Sequence, residues 1–412
     1  MKALVFRYSF PRLAFATVMG KIYPPAYLGP GSPLSLETIP EPTLPAGDWV
    51  RVRTRLCGIC GSDSKQVFLD GNFDNPLTAF ISFPQVLGHE AVGVIEETGP
   101  DVKNRQVGER VVLNPWLPCA TRGIDPPCEA CQSGHFYVCK HFTDGTLPPG
   151  MHIGNNRAVT GGYAPYFTAH ESQLYPIPDS VSYEAAVLAD PTSVSLHAIL
   201  KAAPTDGQLA VVYGLGTLGL MTVALLKELY PTVEILAIAR YPHQEKFAQQ
   251  LGAKYTIRTH QPVEIIEYIA ELVGTKVYRP WNGKPMLMQG ADRIYDTVGS
   301  PESIEVGIRI AQPLAKLVIS GVANPARFEW TPLYFKEIEM VGSNAFGLEN
   351  FEGQPRHTFN IYLGLLEDKR LDLTELITHR YHLEEFREAF LAAHGKQNSE
   401  AVKVVFDYDL RS

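Results

Sequence analysis

Hydrophobic and polar positions change rhythm along the chain. Trp49 to Leu56 (WVRVRTRL) alternates apolar and polar residues, the period of a half-buried strand. Lys2 to Arg7, Ala91 to Glu97 (AVGVIEE) and Gly108 to Asn114 (GERVVLN) read as further short strands. Gly and Pro punctuate them, which predicts an irregular β domain. Residues 8–48 are rich in Pro, Gly and aromatics, a composition that resists a regular element and reads as a lid or a self-packed surface loop. Phe68 to Phe83 reads as a second irregular aromatic segment.

Past Gly161, YAPYFTAH is strand-like. Two helical stretches then flank a break at Asp190, the first starting at Ser182. From Leu209 the texture becomes that of alternating strands and helices. LAVVY is a buried apolar strand, GLGTLG a turn, and an apolar-faced helix follows. EILAIAR, DRIYDTVGS and KLVISGV are strand-to-loop units, with a helix over EKFAQQLGA. Lys276 to Gln289 reads as an inserted loop. YLGLLEDK and LEEFREAFLAAH carry helical spacing, and VKVVFDY is a last strand. Strands alternating with helices predict a doubly wound parallel sheet, so the fold class is α/β with an additional irregular β domain.

Composition narrows the function. The 412 residues suggest two or three domains, and 45% hydrophobic with 19% charged residues is ordinary globular make-up. A net charge of −8 without basic runs points away from nucleic acid and anionic membranes. No apolar run reaches the roughly 20 residues of a bilayer span. The opening MKALVFRY reads as a strand, not a signal peptide. A cytoplasmic, reducing location is expected, with metal in place of disulfides on the cysteines.

Four of the six cysteines follow C-x8-C-x2-C-x7-C at Cys119, Cys128, Cys131 and Cys139. C-x2-C puts two thiolates on one turn, and the other two close a tetrahedron. Four thiolates make a complete, hence structural, zinc site. A second set is sparser: Cys60 in LCGICGSD, His89 in GHE and Asp190 in LADP. One sulfur, one imidazole and one carboxylate leave a fourth zinc position open for chemistry. Cys57 reads as a packed thiol, His197 as a core histidine, and His135, His141 and His152 as loop residues. Trp116, Phe68 and Phe83 read equally as pocket lining or core.

The glycines Gly214, Gly216 and Gly219 follow a strand and open a helix, the context in which a dinucleotide pyrophosphate sits on a helix N-terminus. The next strand ends in Arg240 and Tyr241 with no acid, which favours a 2′-phosphate and hence NADP, with NAD as the alternative.

Together GICGSD, GHEAVGVIEETG, the four-cysteine segment, GLGTLG, DTVGS, ITHR and VKVVFD resemble the zinc-dependent alcohol dehydrogenase family of the medium-chain dehydrogenase/reductase superfamily. The resemblance covers nearly the whole chain. It implies a GroES-like catalytic domain from residues 1–191 and 344–412, with a structural zinc lobe at about 115–141, and an inserted Rossmann domain at 192–343. It implies two zinc ions per chain. Cys60, His89 and Asp190 would hold the catalytic one, Asp190 standing where relatives usually carry Cys or Glu. Glu90 would approach it, Asp63 would hold His89, and Ser62 would pass the alcohol proton outward. Leu215, Thr217, Leu218, Thr297, Val298, Gly321 and Val322 would join the glycines, Arg240 and Tyr241 around NAD(P). The first gap in the cysteine lobe is longer than in the family pattern, and segments 8–48, 62–88 and 276–289 are longer than typical.

The implied activity is hydride transfer between an alcohol (secondary, polyol or sugar-like) and NAD(P)+, by a homodimer or homotetramer. The competing readings are a zinc-free enone or quinone reductase of the same fold and a non-catalytic nucleotide-binding relative.

Overall fold

The computed structural model describes residues 1–71 and 74–410; Asn72 and Phe73, inside the 68–83 segment, lie outside the described residues. The chain divides into two units. One is Met1–Asp190 with the chain from Asn350 onward; the other is Pro191–Glu349.

The first unit is built on a seven-stranded sheet. Strand Trp49–Gly58 is central, antiparallel to Glu90–Thr98 and to the last strand, Lys403–Asp407. Its alternation is as expected: Val50 and Val52 are buried with Phe167, Phe390 and Phe406, and Leu56 is buried too, while Arg51, Arg53 and Arg55 are half-buried. A smaller sheet pairs Lys2–Phe6 with Leu34–Thr38 and with Gln85–Val86.

Residues 8–48 differ from expectation. They form a helix, Phe10–Ile22, a 3-10 turn, Pro24–Leu28, and the strand Leu34–Thr38. Pro11 falls in the first helical turn, where a missing N–H costs no hydrogen bond, so the proline that seemed to forbid a helix begins one. Gly20 lies against the Tyr27 ring, where a Cβ would come within 2.3 Å of it. The expected loop at 276–289 carries a short antiparallel pairing of Val277–Tyr278 with Met286–Leu287.

The second unit is a six-stranded sheet, every pairing parallel. Its spatial order is Tyr255–Arg258, Glu234–Ala239, Leu209–Tyr213, Ala291–Asp296, Ala311–Ile319, Glu339–Gly342. Counted along the chain that is 3-2-1-4-5-6, the doubly wound order of a Rossmann domain. Val211, Leu236, Ile294 and Leu317 form its core with Ile265, Ile269 and Val306 from flanking helices. The order reverses beside Leu209–Tyr213, so the Gly-rich turn leaves the sheet at its switch point.

Candidate metal centres and nucleotide site

The strand Trp49–Gly58 delivers the chain into Cys60, which caps the short helix Gly61–Val67. Asp63, at the third position of that helix, turns back and accepts from the Cys60 N–H at 3.2 Å. The Tyr163 hydroxyl donates to that same oxygen at 2.6 Å, and the other oxygen stands 3.5 Å from His89 Nδ1. Burial pushes the Asp63 carboxyl up, but the facing His89 and the Tyr163 and Cys60 donors outweigh that and hold it below the usual range. Burial pulls His89 down; the Asp63 and Cys60 charges outweigh it and raise His89 well above its ordinary value. Tyr163 was read only as part of a strand. Its hydroxyl lies 100 residues along the chain from Asp63, and no local spacing signals that contact.

Ligand atoms of Cys60, His89 and Glu90 all lie within 4.8 Å of one another. Asp190 falls outside that group. It sits in the first turn of helix Ala189–Lys201, only 6% exposed. Burial first, and the Glu90 charge second, push its carboxyl up to about 7. No hydrogen bond or ion pair holds it among the described residues. Glu90, by contrast, is paired with the buried ammonium of Lys403, which also donates to Ile59 O at 3.2 Å. A Cβ on Gly58 would stand 2.2 Å from Glu90 Oε2, so glycine is what lets this pair pack against the turn. Ser62 is exposed on the first turn of its helix. Cys57 is a fully buried thiol outside the cluster.

The centre thus offers one thiol, one imidazole and one buried carboxyl that makes no ion pair of its own among the described residues. The donor set fits zinc. A further neighbour carries no sequence signal: His152, expected as a loop residue, stands with its ring 4.7 Å from that of His89. It arrives through an antiparallel bridge with Trp116. Burial and His89 lower its pKa to about 4, so it is neutral at ordinary pH. His197 is buried as expected, paired with Glu349.

The four cysteines of the 119–139 segment converge, unbonded, with all sulfurs within 4.8 Å. Cys119 and Cys139 sulfurs are 3.6 Å apart and those of Cys128 and Cys139 4.0 Å. Thiolates at ~2.3 Å around a tetrahedral zinc stand about 3.8 Å apart, so the spacing fits that ion. The N–H groups of Cys128 and His141 donate to Cys119 and Cys139 sulfurs, each at 3.4 Å, as thiolates require. The longer first gap is absorbed by the turn Ala120–Arg122. Arg122, fully buried, donates to the carbonyls of Leu117, Asp144, Leu147, Pro148 and Gly150 and so ties the lobe together.

In the second unit, Gly214 has φ +87°, and a Cβ on Gly219 would stand 1.9 Å from Gly214 O. Only glycine permits this turn. Gly216 opens helix Thr217–Leu229, with no side-chain cap and no acid in its first turn, a fit for a pyrophosphate. Asp296 accepts from the N–H groups of Val298 and Gly299 at 2.9 Å and from the Ser303 hydroxyl. That fixes the next loop: Thr297 Oγ1 donates to Gly214 O at 2.8 Å, and Gly321 packs on the Thr297–Val298 backbone. The nucleotide residues expected from sequence, including Leu215, Leu218 and the exposed Val322, thus gather at the ends of adjacent strands. Arg240 and Tyr241 follow the strand alongside, Arg240 exposed with its guanidinium 5.6 Å from the Tyr241 ring centroid.

Comparisons with known proteins agree with this chemistry. The alcohol dehydrogenase GroES-like domain matches residues 46–179 and the zinc-binding dehydrogenase domain residues 217–359. The sorbitol dehydrogenase of Halalkalibacterium halodurans is 30% identical, across 89% of this chain and 93% of that protein. The D-xylulose reductase of Scheffersomyces stipitis is 27% identical, across 91% and 95%. The alcohol dehydrogenase of Aeropyrum pernix shares the fold, with a TM-score of 0.75 at 21% identity over 99% of this chain and 100% of that one. Among the described residues no helix is long and apolar enough to cross a membrane. The chain therefore belongs to the zinc-dependent alcohol dehydrogenase family of the medium-chain dehydrogenase/reductase superfamily and is an NAD(P)-dependent oxidoreductase.

Proposed function

We propose that the chain oxidises a secondary alcohol or polyol to the ketone, and reduces it in the reverse direction, at the Cys60–His89 centre. The observation that carries this is the buried Asp190 carboxyl, which makes no ion pair or hydrogen bond of its own among the described residues and feels the His89 charge, while neighbouring Glu90 is paired with Lys403. On this reading Cys60, His89 and Asp190 are the catalytic zinc ligands, Glu90 stays with Lys403, and the four cysteines hold a second, structural zinc. The names of the sorbitol dehydrogenase and D-xylulose reductase relatives support a polyol as substrate.

Zinc, when bound, supplies Lewis acidity toward the substrate oxygen, and the nicotinamide takes up or gives the hydride. The chain does the rest. Asp63 stands 3.5 Å from His89 Nδ1, where its charge favours the proton on that nitrogen and leaves Nε2 as the ligand atom. Tyr163 and the Cys60 N–H hold Asp63 in that position. Ser62, exposed beside Cys60, carries the substrate hydroxyl proton outward. The glycine turn and the 297–298 and 321–322 loops would hold the dinucleotide, and Arg240 would meet a 2′-phosphate, which favours NADP.

The free cysteines fit a reducing, cytoplasmic setting. Strand Glu339–Gly342 ends its sheet with one edge unpaired, near exposed Trp330, Tyr334, Phe335 and Met340. An apolar strand edge of this kind suits a second copy of the chain, giving a homodimer or homotetramer. Sedimentation of the parent and a Met340→Lys variant tests it.

The central test is zinc per chain in the parent and in Cys60→Ser, with turnover of an alcohol panel on both cofactors. Two ions in the parent, one in the variant, and turnover only in the parent are expected. One ion in both would overturn the ligand assignment.

A further inference from the structure

Two polar groups, one on His152 beside the His89 ring and one on Trp116 beside His152, have no hydrogen-bond partner among the described residues. Trp116 is 8% exposed, and its indole Nε1 is buried without an acceptor. Its ring meets that of His152 edge-on at 5.7 Å, the two residues facing each other across the antiparallel bridge. His152 Nδ1 is 2.7 Å from Ile153 O. A carbonyl only accepts, so Nδ1 carries the proton, and Nε2 is left with a lone pair and no donor to meet it among the described residues. The backbone holds this arrangement from both sides. Ile153 N–H donates to Pro115 O, Leu117 N–H to Met151 O, and His152 N–H to the Asn155 side chain.

A buried N–H left without an acceptor is costly, and folded chains rarely keep one without a ligand to meet it. Here the orphan donor and an open acceptor stand side by side, and the acceptor's ring is 4.7 Å from a ring placed at the reacting centre. A group that both accepts and donates satisfies the two at once. A hydroxyl is the simplest such group.

We propose that Trp116 and His152 form a hydroxyl-reading pair, which selects substrates carrying a second hydroxyl next to the reacting carbinol carbon. The second hydroxyl accepts from Trp116 Nε1–H and donates to His152 Nε2. A mono-alcohol of the same size leaves both groups unpaired, which is how polar sites reject analogues most strongly. This rests on the alcohol-oxidising reading above and adds to it the two side chains by which a vicinal diol or polyol is told from a mono-alcohol. His152 thereby sets specificity through contact with substrate, and takes no part in the hydride step.

The test compares kcat/KM for 2,3-butanediol, xylitol and sorbitol with that for 2-butanol and 2-pentanol, in holoenzyme with two zinc ions verified. In the parent the best diol or polyol exceeds the best mono-alcohol by about 100-fold or more. In His152→Phe and in Trp116→Phe that ratio falls by about 100-fold, and in His152→Gln, which restores an acceptor, part of it returns. A structural role alone lowers both substrate classes together and leaves the ratio in place, which overturns the proposal. A parent that oxidises both classes equally overturns it too, while the dehydrogenase assignment stands. A zinc-replete parent that oxidises none of these alcohols defeats the alcohol-substrate reading itself, and this inference with it.

Discussion

Tyr163 donates its hydroxyl to Asp63 at 2.6 Å, and Asp63 in turn faces His89. The tyrosine is fully buried; its hydroxyl also donates to Gly58 O at 3.2 Å, and it reaches His89 through the aspartate. Removing the hydroxyl keeps the ring, with its edge-on contact to Phe406, and frees the carboxylate to turn. Outer partners of this kind are worth about 10–100-fold in metal affinity. Tyr163→Phe should weaken zinc at Cys60 and His89 by about that factor and leave the four-cysteine site untouched. Chelator competition, which reads the two ions separately, checks it. Equal loss from both sites would mean general destabilisation.

Arg122 offers a different test because its guanidinium meets carbonyls instead of a carboxylate. Burial pulls its pKa down, and the nearby Cys139 and Cys119 charges partly restore it. A substitution by Met strips donors from five carbonyls, at a cost of about 1–3 kcal/mol for each one left buried and unsatisfied. Arg122→Met should therefore lower the thermal midpoint and speed zinc release from the cysteine lobe, whereas Arg122→Lys should recover part of both. Zinc release timed with a colorimetric chelator is the direct readout.

These two residues mark where sequence reading stops. The four cysteines, the Gly214–Gly219 turn, Cys60 and His89 are legible because their signals are local: a spacing, a turn only glycine can make, a motif after a strand. The alternating parallel sheet is legible for the same reason. Tyr163, Lys403 and His152 act through partners far along the chain. Lys403 meets Glu90 across 313 residues, and no periodicity marks the two as neighbours. The helix Phe10–Ile22 hid behind another ambiguity. Proline reads as a breaker, yet in a first turn it is an initiator, and this helix exposes Phe10, Val18 and Ile22 alongside Lys21. Its apolar pattern therefore does not point at the core.

Arg240 bears on cofactor choice. It is exposed, so its replacement leaves the core intact. A charge-assisted bond to a phosphate contributes about 1.5–3 kcal/mol, or roughly 10–100-fold. Arg240→Gln should raise KM for NADP by about that factor while KM for NAD changes less than threefold, roughly the effect of a solvated surface substitution. Initial rates with both cofactors decide it. Equal changes for both would remove Arg240 from phosphate recognition and bring NAD forward.

His357 gives a pH-dependent prediction away from both metal centres. It precedes helix Thr358–Glu367, its Nδ1 accepts the Phe359 N–H at 3.2 Å, and its ring stacks on Tyr175. Burial alone lowers its pKa from 6.5 to about 3. Between those values the unfolded chain holds a proton that the folded chain does not. The neutral ring's contribution is thus complete above about pH 6.5 and lost as pH falls toward 3, with a limiting slope of about 1.4 kcal/mol per pH unit. His357→Asn keeps an acceptor for the helix cap and has nothing to titrate. The stability difference, parent minus variant, should therefore shrink by about 2 kcal/mol between pH 7 and pH 5 in urea unfolding. Acid loss of zinc strikes both chains alike and cancels in that difference. A difference that stays flat with pH would mean that the imidazole is protonated in the folded chain, and that its burial against Tyr175 and Phe359 does not exclude the charge.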